Sequence, residues 1–422
     1  MRNWLTRTVL LLSFVSLLND MSSELLYPVL PLYMAGIGYG AFWIGVLEGV
    51  AEATAGLTKG WFGEWSDKTG RRLPFVRFGY SLSALCKAFL PLFANAFWAV
   101  TMRAGDKVGK GFRTGARDAM LADESEGKNR GKVFGLHRAM DTAGAVFGPM
   151  MAFAWIWFFG DSNYVPLFYW SLLPGGLAIL LLFLIRDGKR KAKEGKHVSL
   201  FSSFGYWKKS TKQYRKLVSV ISFFTFFNSS DMFILLLAGK IVKEQHYFLP
   251  FNSNQGLITV LLYIFYNLVY SLFSYPSGSL SDKFGHGKML RFGYTFFAIA
   301  YGILALFAVH VIDNIYILPV AFVFYGLYSA FTEGNSRAWI STVCNEGDKG
   351  VALGLFAGIS SIAALGASVL AGIAWEGLGA GIVFILPACA AFISVIFLTF
   401  GFKAPGKDSV EMIRQPEHED RS

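Results

Sequence analysis

The sequence predicts an all-α membrane protein with twelve transmembrane helices in two pseudo-symmetric six-helix bundles. The 422 residues are 54% hydrophobic and 17% aromatic but only 16% charged, and the mean hydropathy of +0.44 lies outside the range of ordinary soluble domains. Apolar stretches long enough to cross a bilayer recur along the whole chain. Lys and Arg crowd into a few connectors, while "GIGYG", "FANAF" and "WEGLGAG" contain none, which is the asymmetry that orients membrane spans.

A crossing needs about twenty mostly apolar residues, so spans are expected at about 7–35, 42–64, 73–95, 97–120, 130–157 and 163–185. They resume at about 216–240, 253–278, 287–311, 314–341, 348–376 and 380–402. The first stretch, "MRNWLTRTVLLLSFVSLL", has the basic flank of a signal peptide, but its hydrophobicity continues past Asp20 with no small-residue cleavage site. It reads as a retained span. The chain thus divides into an N-terminal bundle (1–185), a basic linker (186–215), a C-terminal bundle (216–402) and a tail (403–422).

Basic residues concentrate in "SDKTGRR", in the linker ("RDGKRKAKEGK", then "KKSTKQYRK") and in the tail, which places both termini in the cytoplasm of a bacterial-type inner, or plasma, membrane. An even number of spans agrees. The net charge of +11 does not imply nucleic acid, because the linker lacks aromatic interleaving on a folded scaffold. Orientation and contact with anionic lipid account for it. Cys86, Cys344 and Cys389 lie in apolar stretches without metal-ligand spacing, so they read as packing residues, and neither a metal nor a cofactor is expected.

The two halves resemble each other. "GEWSDKTGRRLPFVRFGY" from Gly63 recurs as "GSLSDKFGHGKMLRFGY" from Gly278; Gly115, Gly131 and Gly135 map onto Gly334, Gly350 and Gly354, and Asn19 maps onto Asn228. Polar and glycine positions recurring in order indicate an internal duplication.

Twelve spans, a basic central linker and the loop G-x-x-S-D-K-x-G-R-R after span 2 resemble the major facilitator superfamily over essentially the whole chain. Gly63, Asp67, Gly70, Arg71 and Arg72 match the family's loop motif, with Trp65 where Leu is usual. The second copy keeps Gly278, Leu280, Asp282, Lys283 and Gly285, with His286 and Gly287 in place of the arginines. The resemblance implies that this loop acts as a conformational latch, since an Asp and arginines at helix ends can pair in one state and separate in the other. "GAVFGP", Gly144 to Pro149, is similar to the G-x-x-x-G-P motif of the family's proton-coupled antiporters, although "MMAF" follows where glycines are usual.

Ionisable groups at membrane depth cost at least a few kcal/mol each and usually face a cavity. Asp20 and Glu24 lie near Asn19 in span 1, and Glu48 and Glu52 in span 2 have the i, i+4 spacing of one helix face. Span 5 carries His137, Arg138 and Asp141. The second half has Asn228 and Asp231 in span 7, with Glu333, Asn335 and Arg337 in span 10.

The densest charge lies in "TMRAGDKVGKGFRTGARDAM". At 100° per residue its seven charges, Arg103, Asp106, Lys107, Lys110, Arg113, Arg117 and Asp118, occupy an arc of about 140° and leave Gly105, Gly109, Gly111 and Gly115 mostly outside it. The segment therefore reads as span 4, packed closely on its glycine side, with its charged face toward water. Arg103 to Lys110 would lie roughly 9 to 20 Å deep, near the midplane. These cations either bind an anionic substrate or neutralise Glu48, Glu52, Asp20 and Asp141. Arg103 also resembles the span 4 arginine of the family's antiporters, implied there in proton transfer. Arg113, Arg117 and Asp118 approach the cytoplasmic face and are expected to pair near Asp67.

These readings converge on a monomeric secondary active transporter, coupled to protons, that works by alternating access on a small-molecule substrate. Export of a small anionic or amphiphilic organic solute is the expected direction and class; import of an organic anion, zwitterion or metal chelate is the rival. A non-transporting receptor or scaffold would not need charges at the midplane. No HExxH, GxSxG or Walker motif is present, so neither an enzyme nor a self-powered pump is expected. The expected substrate contacts are Asn19, Arg103, Lys107, Lys110, Asn228, Asp231, Glu333 and Arg337. Asp20, Glu24, Glu48, Glu52, Asp106, His137 and Asp141 are the proton candidates, and the sequence does not choose among them. The latch set is Gly63, Asp67, Gly70, Arg71, Arg72, Arg113, Arg117, Asp118 and Asp282.

Overall fold

A computed structural model describes residues 5–124, 130–186, 205–244, 255–345 and 348–402. The tail at 403–422 and most of the basic linker lie outside these residues. The described residues form helices and no strands. In chain order these are α1 (Arg7–Glu24), α2 (Leu30–Gly36), α3 (Ala41–Thr69), α4 (Leu73–Phe89), α5 (Ala96–Asp123), α6 (Arg130–Phe159), α7 (Val165–Trp170) and α8 (Leu172–Phe183). The second group is α9 (Tyr206–Lys209), α10 (Lys212–Phe227), α11 (Met232–Glu244), α12 (Gln255–Phe284), α13 (His286–Ala308), α14 (Leu318–Val343), α15 (Lys349–Leu378) and α16 (Ala380–Gly401). Helix occupies every expected span position. Among the described residues, eight segments, all from α6 onward, are long and apolar enough to cross a membrane. The expected spans outside this set are the first four, where the buried charge is concentrated.

Three positions expected as continuous spans are each built from two helices. Pro28 has no N–H to offer the Glu24 carbonyl, so α1 ends there and α2 restarts after a turn, with Pro31 in its first turn. Pro174 likewise offers no N–H to Trp170, and Ser171 separates α7 from α8. Its carbonyl accepts a hydrogen bond from Ser22 Oγ at 2.8 Å. At the third break Asn228 is extended (φ −80°, ψ 96°), and Ser230 Oγ accepts from the Met232 amide at 3.2 Å. Short polar side chains in "NSSD" compete with the helical ladder for backbone groups.

In the first half α1 packs on α6 and α8, while α5 packs on α3 and α4; in the second, α13 packs on α14 and α16, and α10 on α15. An apolar core built around Tyr214, Phe297, Tyr301 and Phe384 holds the second group together. A smaller core around Tyr80 lies within the first, and another around Phe168 also takes in Met232, Leu257 and Val260 of the second. The groups meet along a seam formed chiefly by α3 against α15 and α6 against α12.

Glycines set the closest approaches. A Cβ on Gly109 would lie 2.6 Å from the Gly79 carbonyl oxygen, and one on Gly144 or Gly148 would lie 2.5 or 2.6 Å from a carbonyl oxygen of α1. The glycine side of α5 and the GAVFGP segment of α6 therefore pack as their patterns predict.

The two ends of the seam differ. Far from the loop motif it is tied shut: Glu376 Oε1 accepts from the Phe42 amide at 3.0 Å, and Asp161 accepts from the Gly256 amide at 3.2 Å. Toward the motif end the side chains of Glu52, Arg138 and Glu333 are 48%, 66% and 59% exposed. A water-accessible cleft thus opens between the groups on that side, bridged there by Arg138 of α6, which bonds to Tyr270 of α12.

Candidate functional site

The first wall of the cleft is built by α1, α3, α5 and α6. Arg103 donates two hydrogen bonds from Nη2 to the Glu48 carboxylate, both at 3.1 Å, and one from Nε at 3.2 Å. Its Nη1 reaches Asp106 at 3.3 Å, and Ser83 Oγ donates to the other Asp106 oxygen. Lys107 Nζ lies 2.6 Å from Glu52 and 3.8 Å from Glu48, so the i, i+4 carboxylates of α3 do converge on one cation. Such pairs are high-stakes, because removing one partner strands the other charge in a site of low dielectric.

The charged arc of α5 therefore does not face water as a whole. Arg103, Asp106, Lys107 and Arg113 are buried, and of its seven charges only Lys110 is exposed. Carboxylates of α3 satisfy the arc from the neighbouring helix, which leaves no reason for it to turn toward solvent. Lys110 has no ion-pair partner among the described residues, although Lys107, Glu52, Asp20 and Arg113 all act on it electrostatically. Asp20 in turn is repelled by Asp141 and attracted by Lys110. Asn19 is buried and donates to Asp20 at 3.3 Å. His137 Nδ1 sits 3.6 Å from Asp141, while His137 Nε2 and Asp141 Oδ1 are buried without a hydrogen-bond partner.

The second wall, from α10, α11, α12 and α14 with Glu24 at the end of α1, treats its acids differently. Tyr263 donates to Glu24 at 2.7 Å, Tyr325 to Asp231 at 2.5 Å and Tyr270 to Glu333 at 2.7 Å. Arg138 donates to the Tyr270 hydroxyl at 3.0 Å and lies 4.0 Å from Glu333. Asn228 donates to the Tyr328 hydroxyl at 2.9 Å. Among the described residues neither Glu24 nor Asp231 has a Lys or Arg within ion-pair distance, and Arg337 is exposed with no ion pair.

At the motif end, Gly70 and its second copy Gly285 both have positive φ, 64° and 88°. The repeated glycine is thus a helix-terminating residue in a conformation other residues rarely adopt. Arg72 pairs with Asp123 and ties the start of α4 to the end of α5. Arg71 and Asp282 are exposed. Arg113 stacks on the Tyr80 ring at 4.6 Å, and Arg117 bonds to Asp118 at 2.9 Å and to Ser16 Oγ at 2.9 Å. These are contacts within the first helical group; the surroundings of Gly63 and Asp67 lie outside the described residues.

Two features of the site were not singled out in the sequence. Lys87 of α4 is 3% exposed and donates to Ser22 Oγ at 2.7 Å and Ser23 Oγ at 3.1 Å. A lone Lys inside the apolar run "SALCKAFLPLF" is the signal that could have found it. The tyrosines of the second wall share a helical face, Tyr263, Tyr266 and Tyr270, that hydropathy alone does not separate from packing aromatics.

The profile of the Major Facilitator Superfamily matches this chain twice, over residues 12–248 and 218–418. An uncharacterized MFS-type transporter of Methanocaldococcus jannaschii is 33% identical over 399 residues, 94% of this chain and 95% of that one. A homolog of the multi-drug resistance efflux pump PmrA, from Lactococcus lactis subsp. lactis, is 25% identical over 289 residues, 66% of this chain and 67% of that one. Among solved structures, the nucleoside transporter NupG superposes with a TM-score of 0.76 at 11% identity, over 95% of this chain and 100% of that one. A D-xylose-proton symporter gives 0.69 at 15% identity, over 94% and 98%. At such identities the superpositions speak for the fold alone, and with the duplicated profile match and the archaeal relative they give one conclusion: the chain is a multi-pass membrane protein of the Major Facilitator Superfamily, a family of transporters and not of enzymes.

Proposed function

We propose that the chain is a proton-coupled secondary transporter that exports a small amphiphilic organic solute by alternating access of its two helical groups. The observation that carries this reading is the cleft itself: at the seam it holds Lys110, Glu24 and Asp231 without ion-pair partners among the described residues. Charges kept at such depth cost free energy that a receptor or scaffold has no use for. The acids that exchange protons are drawn from Asp20, Glu24, Asp141 and Asp231, with His137 beside Asp141. Glu48 and Glu52 pair with Arg103 and Lys107 and serve to hold α3 to α5, and Asp106 pairs with Arg103 within α5.

The same pairing favours one of the two expected substrate classes. Arg103 and Lys107 are occupied and Arg138 lies against Tyr270 and Glu333, so Lys110 is the cleft cation best placed for an anion, and the amphiphilic class fits better. Export is favoured by the GAVFGP segment packed on α1 and by the likeness to the PmrA homolog, named as an efflux pump. The reading includes twelve crossings, two six-helix bundles joined by the 186–215 linker, both termini in the cytoplasm of an inner or plasma membrane, and a monomer. It also includes the motif-end residues Asp67, Arg71, Arg72 and Asp282 as the contacts that change when the cleft closes on that side.

The test is transport in proteoliposomes with an imposed pH gradient and a mixture of amphiphilic metabolites, read by mass spectrometry. Gradient-dependent movement of at least one solute is expected. Movement of none would end the proposal of coupled transport.

A further inference from the structure

The second wall carries a further assignment. The geometry points to a binding site for the ammonium group of an organic amine, formed by Glu24 and Asp231 inside a cage of tyrosine rings. The inference rests on the transport reading only in making that amine the transported solute.

Rings run continuously between the two acids. Tyr27 stacks on Tyr263 at 5.5 Å, Tyr263 meets Tyr266 at 5.8 Å, and Tyr266 meets Tyr325 at 5.2 Å and Tyr270 at 6.3 Å. Asp231, Tyr263, Tyr266 and Tyr325 line one small cavity with Ile234, Leu235 and Phe322. The Tyr301 ring, wholly buried, stands 6.0 Å from the Tyr325 ring in the field of Asp231.

Among the described residues neither acid has a Lys or Arg at ion-pair distance; Lys110 and Lys107 act on Glu24 only from further off, and Arg103 lies over the Tyr27 ring at 5.7 Å, which leaves Asp231 and the Tyr263, Tyr266 and Tyr325 rings open to an incoming cation. Each receives one tyrosine hydroxyl, which satisfies one lone pair of one oxygen and leaves the rest of the carboxylate able to accept. An ammonium entering here would meet carboxylate oxygens and the negative faces of several rings together, which is the recognition mode of aromatic cages. An anion would meet like charge from Glu24, Asp231 and Glu333. On the first wall Glu48, Glu52 and Asp106 already hold Arg103 and Lys107, and among the described residues Asp20 and Asp141 have no such ring of tyrosines around them.

Binding to the purified, detergent-solubilised protein tests the site without requiring transport. 2-Phenylethylammonium and its carboxylate counterpart 3-phenylpropionate are titrated by calorimetry. The ammonium is expected to bind saturably, and the carboxylate more weakly by at least about tenfold. Asp231→Asn should weaken the ammonium by roughly tenfold or more, and Tyr325→Phe, which frees an Asp231 oxygen, should tighten it by roughly threefold. Equal affinity for the carboxylate, unchanged affinity in Asp231→Asn, or no saturable ammonium binding would each overturn the site. Should Asp231→Asn unfold, the Tyr325→Phe titration decides, and weaker binding there overturns it. Uptake of both probes into the proteoliposomes separates the two readings. Binding of the ammonium with no gradient-dependent movement of any solute would overturn transport and leave the site standing. Movement of 3-phenylpropionate in preference to the ammonium would keep transport and overturn the site.

Discussion

The two walls of the cleft hold carboxylates in opposite ways. On the first wall Glu48, Glu52 and Asp106 lie against Arg103 and Lys107; on the second, Glu24 and Asp231 lie against tyrosine hydroxyls, and Glu333 meets both a tyrosine hydroxyl and Arg138. The residue type is the same, and the partner decides what it is for. A cation at contact distance makes the acid part of the frame that holds α3 to α5. A neutral hydroxyl satisfies one lone pair and leaves the charge available to something that enters from the cleft.

The comparison breaks first, and by the largest margin, at Glu48. Glu48→Gln takes the bidentate carboxylate from a guanidinium whose side chain is 7% exposed and leaves it Asp106 alone, and a cost of about 3 kcal/mol is expected, read as a fall in thermal stability in detergent. Replacing Arg103 as well would leave buried Asp106 without its cation, so the control is the triple variant Glu48→Leu, Arg103→Leu, Asp106→Leu, which should recover part of the loss because no member of the cluster is then left unpaired. If the single and triple variants are equally unstable, the ion-pair cluster is not what holds this wall.

A second test leaves the charges alone and moves the helix that carries them. Gly109→Val drives a side chain into the Gly79 backbone and should cost about 1 to 3 kcal/mol, with transport falling in parallel. Unchanged melting would mean that α4 and α5 approach less closely than the structure shows.

On the second wall Asp231→Asn should change stability by no more than about 1 kcal/mol, since the amide oxygen still accepts from Tyr325. Transport of the amphiphilic substrate should nevertheless be lost. A stability loss as large as that of Glu48→Gln would erase the contrast between the walls.

The smallest expected effect on folding comes from Lys110→Ala, within about 0.5 kcal/mol, because the ammonium is exposed and has no ion pair to lose. Lys107→Ala, which takes the cation from Glu52 and leaves Glu48 to Arg103 alone, should be the more destabilising of the two in the same melting assay. Only Lys110→Ala should alter substrate transport while leaving the fold in place, and transport rates equal to the parent protein would remove Lys110 from the cleft's working residues.

Periodicity and composition alone determined the helical class, the helix positions and the duplication, because apolar length and charge asymmetry are properties of the chain read in one dimension. They also located α5 as a helix with charges on one side and glycines on the other, since a 3.6-residue period sorts side chains before any neighbour is known. Which way the charged side faces is a different matter. The arc was expected to look into water, and only the packing of α3 beside α5 showed that Glu48 and Glu52 cover it, leaving Lys110 alone exposed. Nor could spacing reveal that Glu24 at the end of α1 meets Tyr263, 239 residues further along the chain, or that Asp231 meets Tyr325. A span's sequence states that a charge is buried and costly. The identity of its partner is set by which helices the fold brings side by side, and that partner decides whether the charge is structural or free to work.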